Sequence, residues 1–171
     1  MQQVKPDLQL SQTNFSQTSA DWDARYLASQ SVWSLEPNQF VVSDLSELPV
    51  GQMVDIAGGE GRNALWFAGR GWQVENVEFS KVALQKFQER ADQAGLTVIS
   101  NHSDARTAIF SLKPDLAVIA YLQLPWGELE QALDNALRQI SSGVIYGVWH
   151  DAKYLADHIV LQNEYMAYDK S

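Results

Sequence analysis

A run of closely spaced glycines between residues 55 and 63 is the segment of this sequence best suited to holding a ligand. It reads Asp-Ile-Ala-Gly-Gly-Glu-Gly-Arg-Asn and follows a short apolar run. Glycines allow a sharp turn and a close approach of the backbone to a ligand, and the N–H groups of a following helix would face a carboxylate or a phosphate. The spacing Gly59-x-Gly61-x-x-Ala64 also fits a dinucleotide fingerprint, and a tight turn without any ligand is a third interpretation. The loop alone leaves all three open.

An acidic residue, Glu78, ends the next apolar run, 17 residues after Gly61. A carboxylate at that position can accept hydrogen bonds from both hydroxyls of a ribose. The simpler alternative is a solvated glutamate at the end of a strand, but its place after a glycine loop favours the ribose role. Phe79 could lie against an adenine ring, although as a core residue it needs no such explanation.

Later loops carry four further candidates. Asp104, within Ser-Asp-Ala after the third apolar run, could accept from the exocyclic amine of an adenine. Tyr121 and Gln123 follow the fourth run and would lie at the rim of a pocket, although a half-buried aromatic with a hydrated hydroxyl is the simpler explanation of Tyr121. His150 follows the fifth run and could act as a base towards an O–H or N–H acceptor, whereas a lone histidine is more readily explained as structural.

Alternating strands and helices explain how these residues could meet. We predict strands over residues 52–57, 73–79, 96–100, 115–121 and 143–149. Helices are predicted over residues 60–69, from an N-cap at Ser80 to Ala94, and from a first turn at Pro125 to Ile140. This alternation favours right-handed crossovers and a doubly wound, mainly parallel α/β sheet. Ligands bind outside the carboxyl ends of such strands, which is where the glycine loop, Glu78 and Tyr121 fall.

Composition restricts the classes of function. The 171 residues suffice for one domain, and 46% hydrophobic with 19% charged residues is typical of a globular protein. The net charge of −9 without a cluster of Lys or Arg argues against a nucleic-acid partner. There is no cysteine, and the three histidines lack ligand spacing to acidic residues, so no metal site is predicted.

The ends of the chain give the expected organisation and compartment. Residues 1–20 are polar and lack the basic start and apolar stretch of a signal peptide, and no long apolar segment suggests a membrane span. We therefore expect a cytoplasmic protein with no membrane partner. It would have a polar N-terminal arm over residues 1–20 and a single domain over residues 21–171.

Four groups of residues together resemble a known family. They are Trp22-Asp23-x-x-Tyr26, Val32-Trp33-x-x-Glu36-Pro37-Asn38, residues 54–66, and residues 71–74 with 77–80. The combination resembles the class I S-adenosylmethionine (SAM) dependent methyltransferases, most nearly their small-molecule group of tellurite-resistance and thiopurine or thiol methyltransferase-like proteins. The resemblance covers about residues 21–151. It implies a Rossmann-like fold, SAM as cofactor and in-line transfer of a methyl group to a small-molecule acceptor.

The resemblance also implies roles for single positions. Asp55 and the backbone of residues 58–61 would hold the methionine part of SAM, Glu78 the ribose and Asp104 the adenine. The family usually has Gly where this chain has Ala57, which would crowd the methionine end slightly. The implied cofactor-binding residues are Arg25, Tyr26, Trp33, Asp55, Ala57, Gly58, Gly59, Gly61, Arg62, Asn63, Glu78, Phe79, Ser80, Asp104, Ala105, Tyr121 and Leu122, and the candidate catalytic residues are Tyr121 and His150.

The C-terminal end keeps other functions open. The family continues after its fifth strand with a helix and an antiparallel strand pair, whereas about twenty residues remain here. They could form a short helix over 152–158 and one segment over 159–168, so we expect part of the strand pair to be missing and a possible homodimer through the open edge. The alternatives are a catalytically silent SAM-binding or assembly protein of this fold and, less favoured, an NAD-dependent oxidoreductase.

Overall fold

The computed structural model describes residues 18–140 and 143–148, together with the backbone of residues 158–162. The helices are α1 (Ser19–Leu27), α2 (Gln39–Leu45), α3 (Arg62–Ala68), α4 (Lys81–Gln93) and α5 (Trp126–Gln139). The strands are β1 (Gln52–Ile56), β2 (Gln73–Glu78), β3 (Ile99–His102), β4 (Leu116–Ala120), β5 (Val144–Val148) and β6 (His158–Gln162).

The strands form one sheet in the order β3-β2-β1-β4-β5-β6. Neighbours from β3 to β5 are parallel, and β6 is antiparallel to β5, with Val160 opposite Tyr146. The chain runs outward from β1 to β3 and then crosses back to β4, so the crevice between the ends of β1 and β4 is the switch point of the sheet. The predicted doubly wound, mainly parallel α/β fold is confirmed.

Both faces of the sheet are covered. Met53 and Val118 belong to the core cluster that α3 and α4 complete, while Val54 and Ile119 belong to the cluster under α5. Successive residues of β1 and β4 therefore alternate between two buried faces. This explains why the sequence of each central strand is a continuous apolar run.

Several element boundaries differ from the predictions. The third strand begins at Ile99 and not at Leu96, because the N–H of Leu96 donates to the carbonyl of Ala91 and so closes the end of α4. The helix predicted from Glu60 begins at Arg62, because Gly61 before it has a left-handed conformation (φ 75°). Pro125 is the N-cap of α5 rather than part of its first turn. The N-cap at Ser80 is confirmed, since its hydroxyl accepts from the N–H of Ala83.

The C-terminal prediction was wrong at one residue that the structure describes. His158 begins β6 and does not end a helix. One antiparallel strand thus lies beside β5, within the segment for which a single extended piece was predicted. Residues 149–157 and 163–171, which include His150, lie outside the described residues, as do residues 1–17 of the predicted arm. Thr18 already caps α1 through its hydroxyl.

In the described part of the chain, no helix is long and apolar enough to cross a bilayer. Nor does any group of three or more His, Asp or Glu side chains in that part lie close enough together to hold a metal ion.

Candidate functional site

An open cavity lies at the carboxyl ends of β1, β2 and β4. Predicted site residues on its wall are Tyr26, Trp33, Ala57, Gly58, Gly59, Arg62, Asn63, Glu78, Phe79, Tyr121 and Leu122. Gln123, which was expected at the rim of a pocket, also lies on the wall, and Trp22, Ser34, Glu60 and Ala120 complete the lining. The cavity therefore gathers residues from four separate segments at the switch point of the sheet.

The glycine loop after β1 is tightly folded against the protein. Ala57, Gly59 and Gly61 all have positive φ (56°, 58° and 75°). A Cβ on Gly58 would lie 2.2 Å from Oδ1 of Asn76, so a larger residue does not fit there. For Ala57 the left-handed conformation costs about 1–2 kcal/mol, which is the physical reason that glycine suits this position.

The N–H groups of this loop have partners within the protein. Gly58 donates to the carbonyl of Val77 at 3.3 Å, and Gly61 to that of Gly58 at 2.9 Å. Gly59 donates to Oε2 of Glu78 at 2.9 Å. The loop is thus held by the end of β2, and these three donors are already used.

Glu78 is the acidic group on the cavity wall at the end of β2, and only 4% of its surface is exposed. Its Oε1 accepts from the N–H of Ser80 at 2.9 Å, while Oε2 accepts from Gly59. Burial raises the pKa of Glu78, and the N–H groups of Ser80, Gly59 and Phe79 oppose that rise. A carboxylate has about four acceptor positions, so the group retains capacity for a ligand hydroxyl.

Asp55 lies beneath the loop and not on the cavity wall. It is fully buried, and its Oδ2 accepts from the N–H of Ala64 at 3.3 Å. Burial raises the pKa of this carboxyl group to about 7. Within the described residues, Oδ1 of Asp55 and Oδ1 of Asn76, its partner on β2, accept no hydrogen bond. Asn76 uses its N–H₂ group to donate to the carbonyl of Gly59 at 3.0 Å.

An aromatic segment covers the cavity from the N-terminal side. Trp22 and Tyr26 lie on α1, whereas Trp33 lies in the loop after it, and its Nε1 donates to the Tyr26 hydroxyl at 3.4 Å. Burial raises the pKa of Tyr26, which is 3% exposed. The guanidinium of Arg25 stacks 4.8 Å from the Trp22 ring and 5.5 Å from the Trp33 ring. Arg25 therefore supports this segment, residues 22–33, which we call the cover, and does not itself line the cavity.

Arg62 and Tyr121 face each other across the cavity mouth. The Arg62 guanidinium lies 5.6 Å from the Tyr121 ring and donates to the hydroxyl of Ser34 at 3.0 Å. Tyr121 has a φ of 61° and its N–H donates to the carbonyl of Val148. The strand predicted to include Tyr121 ends at Ala120, and the left-handed turn is what puts Tyr121 on the cavity wall. Strained backbone of this kind persists where the surroundings enforce it.

Besides Asp55 and Arg25, four further predicted residues lie away from the cavity wall. Arg106 binds the carboxylate of Asp104 through Nε at 2.9 Å and Nη2 at 2.6 Å, which lowers the pKa of Asp104. Ala105 follows Asp104 in the chain, and neither residue is on the cavity wall. That Asp104 and Ala105 contact an adenine stays a prediction. Ser80 caps α4 and donates to Asp23 on α1, and Gly61 packs against Phe87.

Two residues that hold the site together were not among the predicted site residues. They are Glu60 and Asn38, and Asn38 is a hydrogen-bond partner of Asn63. Glu60 is 3% exposed, lies on the cavity wall and forms ion pairs with Lys86 and Arg90 of α4. Asn38 donates its N–H to Oδ1 of Asn63 at 2.9 Å, tying the start of α2 to α3. The charge of Glu60 inside a glycine loop was visible in the sequence, but its pairing with Lys86 and Arg90 was not, because α3 and β2 separate the loop from α4 along the chain.

Comparison with solved structures shows the same fold in methyltransferases. NodS, an N-methyltransferase from Bradyrhizobium japonicum solved with S-adenosyl-L-homocysteine, superposes with a TM-score of 0.62 at 17% identity over 75% of this chain and 71% of its own. TehB from Haemophilus influenzae gives 0.60 at 15% identity over 75% and 44%. A structure from a study of thioacetal formation in echinomycin biosynthesis gives 0.66 at 18% over 75% and 57%. At these identities the likeness concerns the fold.

The chain spans 57% or less of the length of several of these solved proteins. Among curated proteins, none matches its sequence. A family model described as a methyltransferase domain matches residues 53–143, from β1 to the start of β5, which is more than half of the chain. That stretch includes the glycine loop, Glu78 and Tyr121, and the match over it shows that the chain belongs to the methyltransferase domain family.

Proposed function

We propose that this protein binds SAM in the cavity and transfers its methyl group to a small-molecule acceptor. Family membership supports methyl transfer in general. Similar folds support the cofactor and the class of acceptor: coclaurine N-methyltransferase is solved with N-methylheliamine and S-adenosyl-L-homocysteine, and geranyl diphosphate methyltransferase with geranyl diphosphate and sinefungin.

The observation that carries the proposal is the way Glu78 closes the glycine loop. A dinucleotide site needs loop N–H groups and a helix N-terminus turned towards a pyrophosphate. Here Gly58, Gly59 and Gly61 donate within the protein, and the Ala64 N–H of α3 donates to the carboxyl of Asp55. A pyrophosphate would meet acidic oxygens where it needs donors. The arrangement therefore favours a ligand with a ribose and no pyrophosphate, such as SAM, over NAD.

The residues present fit SAM on three counts. Glu78 offers a buried acceptor for the ribose hydroxyls, and Phe79 beside it offers an apolar surface to the base. Trp33 and Tyr26 form an aromatic wall on one side of the cavity. When bound, SAM supplies an electrophilic methyl group on a sulfonium, a cation that acidic surroundings stabilise.

The chain's own contribution to transfer is positioning. Tyr121, after β4, and Arg62, at the start of α3, lie against each other on the cavity wall, and they would orient the acceptor there. Holding two reactants in line contributes up to roughly 7–11 kcal/mol to a barrier reduction. The aromatic rim formed with Trp33 suits a small or soft acceptor better than a polyanion.

Calorimetric titration of the protein with SAM, S-adenosyl-L-homocysteine and NAD tests the proposal. We expect saturable binding of the first two and none of NAD. Glu78→Gln should weaken binding about 10- to 100-fold, because hydrogen bonds to a charged group contribute about 1.5–3 kcal/mol each and every 1.4 kcal/mol is a factor of ten. Glu89→Gln, an exposed change on α4, is the matched control and should bind as the parent does.

Other outcomes have distinct meanings. Binding of NAD alone would overturn the proposal in favour of an oxidoreductase. Binding of SAM without transfer to any member of a broad panel of thiols, amines and phenols would leave the cofactor site standing and contradict the enzymatic part. If Glu78→Gln and Glu89→Gln changed the affinity for SAM equally, Glu78 would not contact the ligand.

A further inference from the structure

Glu60 is a buried carboxylate that joins the glycine loop to the cover of the cavity. Its Oε2 accepts from the N–H of Val32 at 2.9 Å, from the N–H of Trp33 at 3.4 Å and from the Ser31 hydroxyl at 3.3 Å. All three donors lie in the loop after α1, and Trp33 itself lies on the cavity wall. One oxygen of Glu60 therefore sets the backbone position of the cover at Trp33.

The other oxygen of Glu60 faces α4. Oε1 lies 3.2 Å from Nη2 of Arg90 and 3.4 Å from Nζ of Lys86. The same Lys86 ammonium donates to the carbonyls of Tyr26 at 2.6 Å, Ser29 at 2.7 Å and Gln30 at 3.3 Å, at and after the end of α1. Glu60 and Lys86 thus hold the two ends of residues 26–33 against the same helix.

The backbone of the glycine loop fixes the position of the Glu60 carboxylate. Glu60 lies between Gly59 and Gly61, both left-handed, and a Cβ on Gly61 would come within 2.1 Å of the Phe87 ring. The loop conformation is therefore dictated by α4 and by the bond of Gly59 to Glu78. A side chain on such a rigid support can position a neighbouring segment.

Removing the charge of Glu60 would mainly weaken the hydrogen bonds that hold residues 31–33 in place. Lys86 and Arg90 are about one fifth exposed in their side chains, at 20% and 22%, and would lose their acidic partner. The N–H groups of Val32 and Trp33 would keep at most a neutral acceptor, and bonds to a neutral acceptor are weaker than bonds to a carboxylate. The sheet and α3 keep their own contacts, because neither relies on Glu60.

We propose that Glu60 is a positioning residue that holds Trp33 over the cavity and thereby sets how long the bound cofactor stays. The cofactor part rests on the proposed function, whereas the positioning of the cover does not. Segments that cover a site frequently control release of its ligand. Glu60 contributes through Trp33 and is not itself a catalytic residue.

The test compares Glu60→Gln with Glu89→Gln in two measurements. Hydrogen exchange of residues 30–36 without ligand reports the cover alone, and we expect at least about tenfold faster exchange at residues 32 and 33 in Glu60→Gln only. Stopped-flow dissociation of S-adenosyl-L-homocysteine should be accelerated by a similar factor. Trp33→Ala should have the same effect, and adding Glu60→Gln to it should change the dissociation rate no further.

The proposal is overturned if Glu60→Gln exchanges and releases ligand as Glu89→Gln does, or if the effects of Glu60→Gln and Trp33→Ala on release multiply. If Glu60→Gln does not fold, Glu60→Asp keeps the charge but shortens the side chain by one methylene and withdraws the carboxylate from the N–H groups of Val32 and Trp33, and the same acceleration at residues 32 and 33 is expected. Should the parent protein bind no S-adenosyl-L-homocysteine, the proposed function fails, and the exchange measurement still decides whether Glu60 positions the cover.

Discussion

At the scale of single residues, the site places acidic groups where water cannot reach them. Asp55 and Asn76 are paired across β1 and β2, and both are fully buried. The point where a Cβ of Gly58 would lie is 2.2 Å from Oδ1 of Asn76 and 2.7 Å from Cγ of Asp55. Oδ1 of Asp55 and Oδ1 of Asn76 each lack a hydrogen-bond donor within the described residues, and a proton on Asp55 removes the cost of burying its charge.

The stability of the protein should therefore depend on the protonation of Asp55. Its pKa is raised from 3.8 to about 7 on folding, so folding favours the protonated form. The contribution of Asp55 is fully present below pH 3.8 and is lost as the pH rises to about 7, with a slope approaching about 1.4 kcal/mol per pH unit. Asp55→Asn supplies an N–H in place of that proton at every pH.

Urea unfolding of both proteins at pH 5, 6, 7 and 8 measures this effect. Relative to the parent, Asp55→Asn should become progressively more stable as the pH rises, and the difference should level off above pH 7. Subtracting the two curves cancels most of the contribution of other titrating groups such as Glu78. Parallel curves would show that Asp55 has an ordinary pKa in the folded protein.

Ala57 allows a second measurement at this scale. Its left-handed conformation (φ 56°) costs about 1–2 kcal/mol, whereas glycine loses about 0.5–1 kcal/mol in conformational entropy. Ala57→Gly should thus raise the free energy of unfolding by about 0.5–1 kcal/mol. The control is Ala94→Gly, where φ is −88° and the same change should destabilise the protein. Thermal and chemical unfolding would give both values, and a loss of stability in Ala57→Gly would contradict the argument.

Sequence alone was sufficient for some of these residues and not for others. Glu78 was predictable because a glycine loop and a following strand end fix its place in such a sheet. Glu60 was not, because its importance depends on Lys86 and Arg90, which only the packing of α4 brings to it. The pairing of Asp104 with Arg106 was missed for a similar reason, since side-chain partners two residues apart in a loop depend on the turn.

At the scale of elements, left-handed glycines decide where helices begin and end. Gly61 precedes α3 at φ 75°, and Gly95 follows α4 at φ 66°. Sequence periodicity found both helices, but it could not show that the first turn predicted from Glu60 is a loop. A left-handed glycine just before a helix shortens it without changing its apolar pattern, which is why the boundary was wrong by two residues.

These two glycines form a matched pair for mutagenesis. Gly95→Ala introduces only the left-handed strain, about 1–2 kcal/mol, because nothing lies within 4 Å of the new methyl group. Gly61→Ala adds a contact at 2.1 Å with the Phe87 ring, which is fully buried. Gly61→Ala should therefore cost at least about 1–3 kcal/mol more, the typical cost of overpacking. Equal losses in chemical denaturation would show that Phe87 moves aside freely.

At the scale of the whole molecule, the order of the strands creates the site. The apolar runs predicted five strands, and the rule for crossovers predicted that they are parallel. The sequence did not show that β6 returns antiparallel beside β5, because its apolar residues 159–161 form a short run with no period that distinguishes a strand from a helix. Within the described residues β6 is the last strand at that end of the sheet.

The homodimer expected from the sheet edge stays a prediction at this scale. Sedimentation velocity over a hundredfold range of concentration should show a species of twice the 19.2 kDa chain mass that increases with concentration. A charged substitution in the edge strand, Val160→Lys, should weaken that association, because edge lysines oppose strand pairing. A single species of the monomer mass at every concentration would count against the dimer.

The contacts of Lys86 affect the order in which the chain folds during its synthesis on the ribosome. Its ammonium reaches back 60 residues to Tyr26 and 57 to Ser29. At about 5–20 residues per second, Tyr26 is synthesised roughly 3–12 s before Lys86. A nine-residue helix is marginal in isolation, so α1 depends on its contacts with α4. The segment that includes Tyr26 and Ser29 therefore docks only after α4 has been synthesised, and Trp22 and Tyr26 stay exposed in the nascent chain until then.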